Sequence, residues 1–432
     1  MSGKNIQFIV FLILYAGSFI SKNEVKAQNV TEFPDTKFIV LSDPHYYDPS
    51  LGMEGEAFEQ YLDNDRKLLR ESTEILGEAR KLILASDAEF LVIPGDLTKD
   101  GTRISHLRFA SVLEEIEKTG KKVFVVPGNH DILNPESFSY RDSLKILVDN
   151  ITPGEFAKIY SNFGYNEAIA RDPASLSYIV EPVKGLWIFC LDACRYDENQ
   201  PGGHPVTGGK FRDISLEWIS GQLDSARASG KAVLGMMHHG ILEHYKKQSH
   251  YFEDYVVDDF KKVSRLFAEK GMKMVFTGHY HAQDIVRQDF GKGNVLYDIE
   301  TGSLVTFPCP VREVRIKDNT VDIATTRIGQ IQSRDAGFPQ YAREFVWSGI
   351  QGIAHKALIS YKLQEEEAAL LSGQVADAFL AHYQGDEVDR EKPFDLAGVS
   401  LKGRLLISFK KKLVWNLWND LEPADNDLQI SF

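Results

Sequence analysis

Short apolar segments alternate with amphipathic segments along most of the chain, and this alternation predicts an α/β fold. The apolar segments are rich in branched and aromatic residues and end at turn signals, which is typical of buried strands. They cover residues 37–41, 89–93, 122–126, 186–191, 232–237 and 273–276. Apolar residues recur every three or four positions in residues 64–84 and 106–119, so we expect helices there and mostly parallel pairing of the first strands.

The pattern changes towards the C-terminus. Residues 295–299, 311–316 and 320–327 predict consecutive strands, whereas residues 354–383 and 401–421 have the composition of helices. We therefore predict a main domain of residues 28–347 and a small C-terminal helical region of residues 348–432.

The first 27 residues have the features of a secretory signal. Lys4 precedes an apolar run over residues 6–20, which is short for a membrane span, and Ala27 ends a segment suited to cleavage. We expect cleavage near Gln28 and a secreted or periplasmic protein; an uncleaved N-terminal anchor is the alternative. No later segment is apolar enough to predict a stable membrane span.

Composition narrows the classes of partner. A formal net charge of −13 argues against binding to polymeric nucleic acid, which needs lysine and arginine to displace counterions. A small phosphorylated substrate remains compatible, because bound metal cations can supply local positive charge. The three cysteines, Cys190, Cys194 and Cys309, are expected to be free thiols, with a bridge between Cys194 and Cys309 as the alternative.

Five predicted strands are each followed directly by side chains that can bind metal ions. In chain order these are Asp43 and His45; Asp96; Asn129, His130 and Asp131; His238 and His239; and His279 and His281. Because the carboxyl ends of strands in an open α/β sheet lie along one edge, we expect these side chains to converge on one cleft.

The residue types indicate a particular chemistry. Carboxylate and imidazole ligands without cysteine suit manganese, iron or zinc. Two such ions that share a carboxylate can clamp a phosphoryl group and generate hydroxide near neutral pH. Glycines before Asp96, Asn129 and His279 allow the backbone to bend and approach the ions closely.

The motifs resemble those of the calcineurin-like metallophosphoesterases, whose pattern runs D-x-H, G-D, G-N-H-[DE], H, G-H-x-H. The match is complete and covers about residues 37–285. The forms Gly-Asn-His-Asp and Gly-His-Tyr-His are most similar to the bacterial cyclic-nucleotide phosphodiesterase-like branch. The resemblance implies a four-layer αββα sandwich of two mixed sheets between helices.

The resemblance also implies roles for individual residues. One metal would be held by Asp43, His45, Asp96 and His281, and the second by Asp96, Asn129, His238 and His279, with Asp96 bridging. His130 would stay off the metals and face the phosphate and the leaving group.

The residue pattern leaves two assignments open. Adjacent residues on an extended segment point to opposite faces, so only one of His238 and His239 is a ligand, and the resemblance favours His238. Asp131 is expected either to orient the imidazole of His130 or to serve a cap or turn.

We expect an exported phosphohydrolase whose substrate is a small phosphate ester. Motif detail favours phosphodiesters, and so does the lack of any arginine or lysine that can be assigned near the metals. The alternatives are a phosphomonoesterase or nucleotidase with the same site, and a non-catalytic metal-bearing scaffold. The scaffold alternative is disfavoured because every motif residue is present.

Overall fold

The computed structural model describes residues 32–63, 65–388 and 394–432. In chain order the strands are β1 (Thr36–Val40), β2 (Phe90–Ile93), β3 (Lys122–Val125), β4 (Phe138–Arg141), β5 (Leu144–Leu147), β6 (Ala170–Arg171), β7 (Tyr178–Val180), β8 (Leu186–Leu191), β9 (Ala232–Met237), β10 (Met274–Thr277), β11 (Asp284–Asp289), β12 (Val295–Glu300), β13 (Pro310–Lys317), β14 (Thr320–Arg327) and β15 (Leu428–Ser431).

The α-helices are α1 (Glu56–Leu62), α2 (Ser72–Ala85), α3 (Arg103–Glu117), α4 (Pro153–Ile159), α5 (Asp213–Ala228), α6 (Gln248–Tyr251), α7 (Phe260–Glu269), α8 (Phe338–Ser360), α9 (Glu365–Gln384) and α10 (Leu401–Asn416). None of these helices is long and apolar enough to cross a membrane. The predicted signal segment of residues 1–27 lies outside the described residues.

Two large mixed sheets form the centre of the molecule. The first has the strand order β15-β14-β13-β1-β2-β3, and the second has the order β11-β12-β10-β9-β8-β7-β6. The predicted parallel pairing holds for β1, β2 and β3 and for β8, β9 and β10. A separate hairpin is formed by β4 and β5.

The two sheets pack face to face, with helices on their outer faces. Phe38 of the first sheet meets Phe276 of the second edge to face, with ring centroids 5.3 Å apart. Along β9, Leu234 points into this shared core, whereas Val233 packs under α5 and α7. Side chains of α2 and α3 cover the first sheet. The arrangement is the predicted αββα sandwich, and its core explains why both faces of the central strands are apolar.

Two helix predictions need correction. Helix α2 begins at Ser72, not near residue 64, because the backbone N–H of Leu68 bonds to the Val305 carbonyl and holds residues 65–71 in a loop. The predicted helix over residues 354–383 is two helices, α8 and α9, which form an antiparallel pair separated by a turn at Lys362, where φ is positive.

The C-terminal segment is joined to the main domain through both its ends. The predicted boundary between residues 347 and 348 falls inside α8, and β15 pairs with β14 in the first sheet. Residues 32–432 cluster as one compact unit. The three cysteines are free thiols, as expected.

Candidate metal centre

The ends of β1, β2, β3, β9 and β10 bring the predicted ligands to one edge of the two sheets. One group consists of Asp43, His45 and His281, all buried. The Nε2 atoms of His45 and His281 are 3.1 Å apart, and His281 Nε2 is 3.5 Å from Asp43 Oδ1. His45 Nε2 is also 3.5 Å from Asp96 Oδ2. Two imidazole nitrogens and two carboxylates therefore face the same point.

A second group lies on the other side of Asp96. His238 Nε2 is 3.3 Å from Asp96 Oδ2 and 3.1 Å from Asn129 Oδ1. His279 completes this group, since one of its ring nitrogens lies within 4.8 Å of the ligand atoms of Asp96 and His238. Asp96 thus stands between the two groups, as a bridging ligand must.

Hydrogen bonds hold the outer nitrogens of two imidazoles. His279 Nε2 donates to the Asp254 carbonyl over 3.2 Å, and His281 Nδ1 lies 3.3 Å from Thr306 Oγ1. In metal sites such outer bonds set the tautomer and leave the other nitrogen for the ion. The donor set of carboxylate, amide and imidazole fits two borderline metal ions.

The structure distinguishes the two adjacent histidines. His238 donates from Nδ1 to the Pro94 carbonyl over 2.9 Å, so its Nε2 faces Asp96. His239 turns away and donates from Nε2 to the Thr207 carbonyl over 2.9 Å. His239 belongs to neither ligand group among the described residues.

The backbone of the site is strained. Positive φ angles, which are unfavourable for residues with a Cβ, occur at the non-glycine residues Asp43, His45, Asp96, His279 and His281. Such conformations persist where the surrounding structure imposes them, and they cluster at functional sites. A Cβ at Gly128 would collide with the Asp96 side chain, so this glycine is required by close approach.

Electrostatics favour neutral imidazoles at three of the four histidines in the two groups, and an ionised carboxylate at Asp96. Burial lowers the pKa of His45, His279 and His281, and neutral imidazole is the form that binds metal. Burial acts the same way on His238, but the charge of Asp96 outweighs it and raises the pKa of His238 to about 9. Burial opposes ionisation of Asp96, yet the neighbouring histidines bring its pKa well below the ordinary value.

His130 lies beside the two groups. Its backbone N–H donates to Asp96 Oδ1 over 2.9 Å, its Nδ1 lies 3.0 Å from Asp100 Oδ1, and its side chain is 21% exposed. It can also be grouped with His45 and Asp96 as a potential metal ligand. Asp131 does not contact the imidazole; its carboxylate accepts hydrogen bonds from the backbone N–H groups of Leu97, Thr98 and Gly128. The partner of His130 is therefore Asp100, and Asp131 supports the loops.

The open cleft over the ligands has a volume of about 300 Å³. Several residues in its wall were not predicted from the sequence, because they lie in the loop that was predicted as helix or in remote loops. They include Asp65, Arg66, Lys67 and Tyr255. His204 also lines the cleft, with its side chain 89% exposed and Nδ1 2.7 Å from Glu136 Oε1.

Several solved structures resemble this chain. A dimetal phosphatase from Danio rerio is 16% identical, with a TM-score of 0.48, and the match covers 68% of this chain and 97% of that one. The purple acid phosphatase PPD1 of yellow lupin is 10% identical, with a TM-score of 0.41, and the match covers 70% of this chain and 53% of that one. No curated protein matches the sequence.

The family of the chain is established by comparison with a sequence model of a protein family. The model of the calcineurin-like phosphoesterases matches residues 36–283, which is more than half of the chain and includes both ligand groups. It does not distinguish branches within the family, so the resemblance to the cyclic-nucleotide phosphodiesterase-like branch stays a prediction. The chain belongs to the calcineurin-like phosphoesterase family and is a metal-dependent hydrolase of phosphate esters.

Proposed function

We propose that the protein hydrolyses small phosphate esters with two metal ions in the cleft. Asp43, His45, Asp96 and His281 would hold one ion, and Asp96, Asn129, His238 and His279 would hold the other. The observation that carries this proposal is the convergence of both ligand groups on Asp96. The ions would supply Lewis acidity toward the phosphoryl oxygens and an activated water.

His130 is the proposed proton donor or charge stabiliser. Asp100 accepts from Nδ1 and thereby leaves Nε2 for the substrate. Burial disfavours the charged imidazole, but the charge of Asp96 and the hydrogen bond to Asp100 raise the pKa of His130 overall. A protonated Nε2 can donate to the departing oxygen or to a phosphoryl oxygen.

The cleft wall favours phosphomonoesters over phosphodiesters. Motif detail pointed to diesters, and the sequence offered no cation near the metals to oppose that preference. Arg66 and Lys67, however, both line the cleft. Lys67 is largely buried and pairs with Asp65 over 3.3 Å. The guanidinium of Arg66 interacts with Tyr255 and Tyr383, and its Nε atom has no hydrogen-bond partner among the described residues. Because a monoester carries one more negative charge than a diester, these cations favour the monoester alternative.

We also propose that the protein acts outside the cytoplasm. The apolar N-terminal run supports export, so substrates outside the cytoplasm are proposed.

A rate comparison tests the substrate preference. On manganese-loaded protein we expect aryl monophosphate to be cleaved with a higher kcat/KM than the bis-aryl diester. Arg66→Gln and Lys67→Gln should each lower kcat/KM for the monoester by about 10- to 100-fold, the range for charged hydrogen bonds, and affect the diester less.

Lys81→Gln is the matched control, since Lys81 lies on the exposed side of α2 with 67% of its side chain accessible. Faster cleavage of the diester, or equal losses on both substrates, would contradict the monoester preference. Absence of turnover with two metals bound would favour the scaffold alternative.

A further inference from the structure

A second group of acidic side chains, most of them buried, lies apart from the cleft, where the C-terminal segment meets the second sheet. We name it the C-terminal acidic cluster and define it by Asp284, His382, Glu387, Asp420 and Asp425. Asp284 begins β11, His382 lies in the last turn of α9, and Asp420 and Asp425 lie between α10 and β15. The cluster thus joins segments that are remote in sequence.

Two overlapping sets of these side chains are each close enough to hold an ion. The ligand atoms of Asp284, His382 and Glu387 lie within 4.8 Å of one another, and so do those of Asp284, Asp420 and Asp425. Asp284 belongs to both sets. The side chains of Asp284 and Glu387 are each 1% exposed, and that of His382 is 2% exposed, so water does not screen them.

Nearby cations do not balance the carboxylates. The acidic surroundings extend to Asp298, Glu300 and Asp386, whereas the cationic groups described near them are Arg312, His244 and His382.

Arg312 donates to the backbone carbonyls of Glu300 and Asp425, so its hydrogen bonds do not reach the carboxylates. The carboxylate of Asp425 accepts from the backbone N–H groups of Ile285 and Asp386, which are uncharged. His244 donates from Nδ1 to Asp284 Oδ1 over 2.7 Å, and His382 does the same to Glu387 Oε1 over 2.6 Å. Buried negative charge therefore remains in excess, which is costly without a counterion.

Unpartnered atoms point independently to a ligand. Glu387 Oε2, Asp420 Oδ1 and His382 Nε2 are buried and have no hydrogen-bond partner within residues 32–63, 65–388 and 394–432. A buried carboxylate oxygen without a donor costs at least about 1–3 kcal/mol, and more when the group is charged. A bound cation would take the unpartnered carboxylate oxygens as ligands.

We propose that the C-terminal acidic cluster binds one calcium ion through oxygens of Asp284 and Glu387, with the carboxylates of Asp420 and Asp425 beside it. Carboxylate oxygens are the ligands that calcium prefers, and its flexible coordination tolerates ligands from separate segments. The alternative is that protons neutralise the cluster. Burial and neighbouring acids raise the pKa of Asp420 to about 8 and that of Asp425 to about 10, so protons occupy the cluster when no cation does.

Calcium here would stabilise the attachment of the C-terminal helices to the loop that carries two metal ligands. The His382 ring contacts the rings of Tyr245 and Tyr280, with centroids 5.3 and 5.6 Å away. Tyr280 lies between the ligands His279 and His281. Occupancy of the cluster is thus expected to raise thermal stability without calcium entering the catalytic cleft.

Calcium binding to the intact, manganese-loaded protein tests the proposal. Wild type, Glu387→Gln and Asp420→Asn are compared with Glu344→Gln, a control that removes an exposed carboxylate of α8. Bound calcium is counted by elemental analysis, and Tm is measured with calcium and with a calcium chelator. We expect one more calcium ion per chain in wild type and control than in the two cluster variants. At calcium concentrations of about 100 times Kd, Tm should rise by about 5 °C only where the ion binds.

An Asp96→Asn variant separates the two sites, because it disturbs the catalytic metals and leaves the cluster intact. The calcium-dependent rise in Tm should persist in this variant. The proposal is overturned if wild type binds no calcium, or if Glu387→Gln and Asp420→Asn bind as much as wild type. If calcium does not change the Tm of wild type, protons and not calcium neutralise the carboxylates of the cluster. This measurement needs only wild-type protein, so it tests the proposal even if a variant fails to fold.

Discussion

At the residue scale, the centre depends on side chains that are constrained on several sides at once. Asp96 contacts both ligand groups, accepts the backbone N–H of His130 and has positive φ. No neighbouring side chain can meet all of these geometric requirements in place of Asp96.

Replacing Asp96 with asparagine should reduce bound metal below two ions per chain. An amide retains the shape of the side chain but offers one neutral oxygen in place of the two anionic ones that a bridge requires. We expect turnover to fall by at least about 100-fold, since even changes to residues behind the ligands cost 10- to 100-fold. Metal analysis and kcat/KM measure this. Asp224→Asn, at an exposed site, is the control. Two retained ions with activity within a few-fold of wild type would exclude the bridging role.

His130→Ala should retain both metals and lose far more rate on an alkyl ester than on an activated aryl ester. An alkoxide needs a proton as it departs, whereas nitrophenolate leaves with less help, and positioned proton transfer contributes about 10²–10⁴-fold. Asp100→Asn should reproduce this selectivity in weaker form, because Asp100 holds His130 Nδ1. Loss of metal would identify His130 as a ligand; equal losses on both esters would exclude the proton donor and leave charge stabilisation.

At the scale of elements, side-chain hydrogen bonds join the helices to the loops that follow the strands. His106 of α3 is fully buried, with Nε2 2.8 Å from the Asp131 carbonyl and Nδ1 2.8 Å from Tyr160 Oη. It therefore joins α3 to the loop after β3 and to the end of α4. Burial lowers the pKa of His106 to about 3, so the imidazole is neutral in the folded protein.

This pKa predicts a pH-dependent contribution to stability. An unfolded histidine titrates near 6.5, so protonation favours the unfolded chain as pH falls below that value, and the contribution of His106 is fully present only above it. Between pH 7.5 and 5.5, wild type should lose about 1.4 kcal/mol of unfolding free energy relative to His106→Gln. Urea unfolding of both proteins at the two pH values measures the difference. A difference that does not change with pH would mean that His106 can be charged in the fold.

At the scale of the whole molecule, the C-terminal segment and the main domain share one framework. β15 extends the first sheet beside β14, and the helices α8, α9 and α10 form a core with Tyr245 and Tyr280. Tyr280 lies between two proposed ligands, so the C-terminal helices support the centre through direct contacts. The C-terminal helices therefore help to hold the metal ligands in place.

The N-terminal segment yields the remaining prediction. We expect the natural protein to begin near Gln28 and to be found outside the cytoplasm, because a short apolar run after Lys4 is typical of a cleaved signal. N-terminal sequencing combined with cell fractionation measures both. An intact Met1 terminus in the soluble cytoplasmic fraction would contradict export, and an intact terminus in the membrane fraction would favour the anchor.

The sequence by itself was sufficient for the α/β architecture and for bringing the strand-end residues into one cleft. Runs of branched apolar residues indicate buried strands, and parallel pairing places the carboxyl ends of such strands along one edge. Asp43, Asp96 and His279 each follow such a strand, so the sequence predicts that they lie near one another.

Tertiary structure decided what depends on packing between remote loops. The loop of residues 65–71 brings Arg66 and Lys67 to the cleft because a backbone hydrogen bond to Val305 overrides the helical pattern. The partner of His130 is Asp100, thirty residues away in the sequence, and not its neighbour Asp131. The C-terminal acidic cluster joins three distant segments around Asp284. Local periodicity carries no information on such contacts, because they arise only when separate elements bury their surfaces against each other.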